Sequence, residues 1–220
     1  MFPIYIDRLR TGEGISVESF VKTFKEICTE HQKNGNASSF VFIIHDFTNP
    51  EITKVLEDRN YFNALDEISG NNLTIFYLHL TPEKNKRVKF LGEERLVRDM
   101  TREMNDFLIQ EFKLEETIST PAILFFQIKN KEIIDFFFCS LTERTTEKAF
   151  LEIENLVQKN VSVIKQIATE NKQNYPEIFT LIKNEIDSVK TIKTVKSRAE
   201  QVYNFGKVIV FIEKFISSFV

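Results

Sequence analysis

The chain has 220 residues, 42% hydrophobic and 28% charged, which suits one globular domain with an appendage, or two small domains, and excludes a disordered chain. Its 29 Lys and Arg against 32 Asp and Glu leave a net charge of -3, which excludes the positive field of a dedicated nucleic-acid binder. Two Cys exclude a disulfide framework or a four-cysteine zinc site, and 22 Phe with no Trp make phenyl rings the expected core material.

Ile4 to Leu9, before Gly12 and Gly14, reads as a first strand. Charge arrives at Asp7 and Arg8, too early for the apolar stretch of a signal peptide. Ser16 then suits a helix cap, followed by Val17, Phe20, Phe24 and Ile27 at helical spacing, with Gly35 and Asn36 as the stop. Phe40 to Ile44 is a compact apolar run, as expected of a strand buried on both faces. Asn49-Pro50-Glu51 supplies a cap, a proline for the first helical position and an acid for the first turn of a helix running towards Ser69-Gly70. Leu73 to Leu80 is the next buried strand.

From Glu93 the positions Leu96, Val97, Met100, Met104, Phe107, Leu108 and Phe112 predict an amphipathic helix. Ala122 to Ile128 and Ile133 to Cys139 are two strands whose short polar connection, Lys129 to Glu132, forces an antiparallel hairpin. Thr142 is the expected start of a helix through Phe150, Ile153, Leu156 and Val157. The uncharged stretch Thr117 to Ile128 falls well short of the roughly 20 residues of a membrane-spanning helix, so a cytoplasmic location is the expectation. This order predicts an α/β domain over residues 1–160, a mixed sheet with helices on both faces.

Residues 161–220 read differently, as a C-terminal helical arm. An apolar stripe runs from Ile178 through Ile182, Ile186, Val189, Ile192, Val195, Ala199 and Val202 with no breaker before Gly206. Phe205, Val208, Phe211, Ile212, Phe215 and Phe219 then widen it beyond what a surface helix exposes. That face calls for a cover: the chain's own domain, a second chain or a membrane surface. Lys207 and Lys214 are offset by Glu213, so the basic face that membrane contact needs is missing.

The element order, with Ser119-Thr120-Pro121-Ala122-Ile123-Leu124-Phe125-Phe126 opening the hairpin, resembles the thioredoxin family over about residues 1–160. In that family a proline after a polar residue begins the fourth sheet strand through a cis peptide bond. A short turn, a second strand and the last helix follow. The resemblance implies a thioredoxin-like sheet and a ligand site beside Pro121, facing the helix start after the strand ending at Asp46. There the family carries two cysteines two residues apart, and a helix N-terminus makes the first a nucleophile. This chain has Asp46-Phe47-Thr48-Asn49-Pro50-Glu51 instead, with no cysteine between Cys28 and Cys139. The implied member is redox-inactive, with Asp46, Thr48, Asn49, Thr120 and Pro121 as candidate binding residues and no catalytic residue.

Other constellations carry two readings each. His45 and His79 fall in strands expected to be neighbours, which suits an acid–base or metal pair, but the one carboxylate at ligand spacing, Asp46, is expected on the opposite face, and structural histidines explain them better. Asp46 at a strand's carboxyl end is either a site acid or a turn acid. Lys84, Lys86, Arg87, Lys89, Arg95, Arg98 and Arg102 interleave with Glu83, Glu93, Glu94 and Asp99, which suits a solvated face with ion pairs better than a phosphate or RNA surface, and is the first place to expect an acidic partner to dock. Cys28 and Cys139 read as small buried apolar residues. No P-loop, dinucleotide loop or nucleophile elbow is present.

The expected function is a non-enzymatic binding or assembly subunit, with no cofactor or metal. Its partner is a protein or a second copy engaged through the C-terminal helices, with neither nucleic acid nor membrane. The alternative is a thiol- or glutathione-dependent transferase or oxidoreductase with a non-standard site near Pro121. Glutathione transferases also join a thioredoxin-like domain to a helical one, but lack the first strand–helix pair.

Overall fold

The computed structural model describes residues 1–5, 15–16, 26–34, 39–45, 49–79, 87–90, 93–96, 121–129, 132–142, 144–167 and 174–190. Its centre is β3 (Ser39–Ile44), whose six residues are all buried because helices cover both faces of the sheet. β4 (Leu73–His79) lies parallel on one side of it, and β1 (Phe2–Tyr5) parallel beyond β4. The two-residue β2 (Ile15–Ser16) closes that edge. On the other side β7 (Ala122–Lys129) runs antiparallel to β3, and β8 (Glu132–Ser140) antiparallel to β7. The sheet is therefore mixed, in the order β2-β1-β4-β3-β7-β8, and the architecture is α/β as the alternating pattern implies. The hairpin is tighter than its polar stretch suggests, because Lys129 already pairs with Glu132.

Alternation divides the strand side chains between two cores. One face carries Phe40, Phe76 and Phe126, with Phe40 and Phe126 stacked at 5.5 Å between ring centroids. A helix, α1, reaches this face over residues 26–33. Its His31 meets Phe2 edge-on and Thr74 by hydrogen bond, and its Gln32 side chain donates to the Ile128 carbonyl. The opposite face carries Val41, Ile43, Ile75, Tyr77, Phe125 and Phe137, and four helices cover it.

The first two of these, α2 (Pro50–Glu57) and α3 (Arg59–Ser69), replace the single expected helix. Asp58 turns extended, with φ -77° and ψ 124°, and its carboxylate accepts the Asn60 N–H, so one residue closes α2 and caps α3. α4 (Thr146–Gln166) starts four residues after the expected Thr142, because the Thr145 hydroxyl takes the Lys148 N–H as the actual cap. α5 (Tyr175–Asp187) carries Pro176 in its first turn, where the missing N–H leaves no intrahelical bond unmade. It buries Ile178, Phe179, Ile182 and Ile186, with the Phe179 ring 5.3 Å from Phe137.

Four further expectations change. The first strand is Phe2–Tyr5, two residues earlier than expected, and Ser16 pairs with Tyr5 in β2. Glu93 to Leu96 is not helical but strand β6, paired antiparallel with β5 (Arg87–Phe90) so that Lys89 opposes Glu94. Only Leu91 and Gly92 separate them, a spacing that selects a hairpin over a helix start. The expected boundary after residue 160 falls inside the unbroken α4, and α5 shares the core of the six-stranded sheet. The apolar stripe does not continue as one helix, since α5 ends at Asp187 and Val189 and Lys190 both donate to the Ile186 carbonyl. The arm residues Phe205, Val208, Phe211, Ile212, Phe215 and Phe219 lie outside the described residues, as do 97–120.

Candidate functional site

β3 ends, α2 starts and β7 starts at one end of the sheet. Ile44 pairs with Ala122, which brings the buried His45 alongside the buried Pro121. Asn49 stands at the start of α2, where its side-chain oxygen accepts the N–H groups of Glu51 at 3.1 Å and Ile52 at 3.0 Å. Its backbone oxygen takes the Thr53 hydroxyl at 2.9 Å. These bonds satisfy donors that every helix start leaves open, so the Asn49 oxygens serve the backbone. The Pro121 carbonyl likewise accepts the Leu141 N–H at 2.8 Å, tying the β7 start to the β8 end. Asp46, Thr48 and Thr120 lie outside the described residues.

The same end of the sheet holds a second group of polar side chains that the sequence reading did not single out. Just past β8, the Thr142 N–H donates to the Glu152 carboxylate at 3.0 Å, and its hydroxyl reaches the same carboxylate at 3.3 Å. Lys190 pairs with Glu152 and donates to the Thr142 hydroxyl at 2.9 Å. The Glu152 side chain is only 10% exposed and that of Lys190 21%, so this pair is drier and better held than a surface ion pair. Ten residues separate Thr142 from Glu152 and 38 separate Glu152 from Lys190, so no short motif announces the cluster.

Both thiols are buried and unpaired with each other. Burial pushes Cys28 well above its ordinary value. Cys139 is pushed up to about 12, chiefly by burial, with Lys190 opposing the rise and Asp187 and Glu152 adding to it. Each therefore stays a protonated thiol at neutral pH, which suits the expected packing role. Among the described residues no group of three or more His, Cys, Asp or Glu is placed to hold a metal ion. His45 is a buried residue at the end of β3, and β4 pairs His79 with Tyr5 of β1. No helix of the described residues is long and apolar enough to cross a membrane. Comparison with protein-family models, curated proteins and solved structures finds no match to this chain.

Proposed function

We propose that the chain is a non-enzymatic binding or assembly subunit, built on a thioredoxin-like domain without redox cysteines and joined to its partner or to a second copy through its C-terminal segment. The element order supports the thioredoxin-like part of this reading. Pro121 precedes the fourth of the five long sheet strands, beside the end of β3, and the hairpin and α4 follow it. The observation that carries the non-enzymatic part is the state of the polar and sulfur groups. Both thiols are buried with raised pKa, and the Asn49 side-chain oxygen is occupied with the start of α2.

Native mass measurement tests the assembly role. The full chain of 25.8 kDa should run as a multiple of that mass, and deletion of Val202 to Val220 should return a soluble monomer. A monomeric full chain with no protein partner, or saturable binding of glutathione with rapid thiol titration, would favour the transferase reading.

A further inference from the structure

The side of α4 turned to solvent carries Glu147, Lys148, Leu151 and Asn155, all exposed, with Glu154 half-buried at its margin. Leu151 is 55% exposed, more than any other large hydrophobic side chain among the described residues. It lines a surface cleft of about 450 Å³ together with Val189, 44% exposed, from the turn after α5. Isolated apolar residues on a surface need no explanation, but two of the three that the described surface exposes share this one cleft.

The charges beside Leu151 are arranged about it. Lys148 stands three positions before it and Glu154 three after, so they flank it on opposite sides, about 9 Å apart along the helix axis. At six positions apart they cannot pair with each other. Among the described residues neither side chain has an ion-pair or hydrogen-bond partner. A twofold axis at Leu151 that sets α4 antiparallel to the α4 of a second copy brings Lys148 level with the partner's Glu154. The same rotation brings Glu154 level with the partner's Lys148, and Leu151 against its own counterpart. One operation thus answers both charges and covers the exposed leucine, which makes the ridge complementary to itself.

We propose that the Leu151 ridge of α4 is a contact with a second copy of this chain, antiparallel about a twofold axis at Leu151. This rests on the assembly role proposed above and names a second copy as the partner. Two exposed apolar side chains fall far short of the roughly 20 residues a side that a stable interface uses. The contact therefore forms between copies that the C-terminal segment already holds together, where the effective concentration is high. It fixes how those copies are turned, because other registers set like charges against each other.

Oxidative cross-linking of the full chain tests the twofold centre. Leu151→Cys sets a thiol beside its counterpart across the axis. Air with a copper catalyst joins the two as a disulfide, oxygen taking up their two electrons and two protons. Cys28 and Cys139 are buried and protonated, so the wild-type chain serves as the blank. Leu151→Cys should form covalent dimer at least about tenfold faster than Leu181→Cys, an exposed site of α5 that lines no part of the cleft. Charge reversal tests the register. Lys148→Glu and Glu154→Lys should each raise the midpoint concentration of assembly about tenfold in sedimentation. An equal mixture of the two variants should bring it back towards wild type, since each mixed pair regains both opposite-charge contacts. Equal cross-linking at 151 and 181, no effect of either reversal, or no recovery in the mixture, in a chain that does assemble, overturns the α4 contact and leaves the assembly role standing. A full chain that stays monomeric at every concentration overturns both.

Discussion

His31 places its Nδ1 2.6 Å from the Thr74 hydroxyl and turns its ring edge-on to Phe2. Burial lowers its pKa, the charge of Glu30 opposes this and the N-terminal ammonium adds to it. The sign follows directly. A depressed pKa means the unfolded chain binds the proton more readily, so stability contributed by neutral His31 is complete above its ordinary value near 6.5 and is lost as pH falls below that. Urea denaturation from about pH 7 to about pH 5 should therefore show a shallower loss of stability in His31→Gln than in wild type. Identical slopes would remove His31 from the acid response. Other single residues differ in how far the chain announces them. The Asn49 cap is legible because Asn, Pro and Glu stand in consecutive positions that a helix start requires. The buried bond from Asn160 to the Ser39 hydroxyl, 3.1 Å across 121 positions, is not. Nothing local says that this asparagine of α4 faces a sheet.

At the scale of elements, hydrophobic spacing marks where a helix lies better than where it stops. The stripe across residues 50–69 continues through Asp58 because the apolar faces of α2 and α3 meet the same core, although an Asp-Arg-Asn sequence allows a new cap there. The stripe after Asp187 misleads in the same way, since periodicity survives a turn that hydrogen bonding to Ile186 creates. α5 offers a clean test of which of its residues hold the fold. Phe179 is fully buried against Phe137, whereas Leu181 is 46% exposed. Phe179→Ala should lower the unfolding free energy by about 3–5 kcal/mol in urea titration. Leu181→Ala should stay within about 0.5 kcal/mol of wild type. Equal effects would mean that α5 does not pack on the sheet by this face.

For the whole molecule, the sheet and the five described helices enclose one body with a phenyl layer on one side and an aliphatic-aromatic layer on the other. A fragment of residues 1–160 removes α5 and the last turns of α4, leaving Phe137, Val157 and their neighbours uncovered. It should lose the cooperative unfolding transition of the full chain and bind a hydrophobic dye. A sharp, two-state transition in that fragment would restore a boundary at residue 160.

The sequence by itself determined the α/β class, the buried strand around Phe40–Ile44, the antiparallel hairpin and the capped helix start at Asn49-Pro50. Each of these rests on neighbours within a few positions, where spacing and backbone chemistry act. Only the tertiary structure decided that α5 closes the core of the sheet, that Glu93 to Leu96 pairs as a strand, and that Thr142, Glu152 and Lys190 converge. Those outcomes depend on contacts between segments tens of residues apart or on competition between two local states. The energy that settles them comes from area and charge buried when the elements meet, a quantity that no short stretch of chain carries.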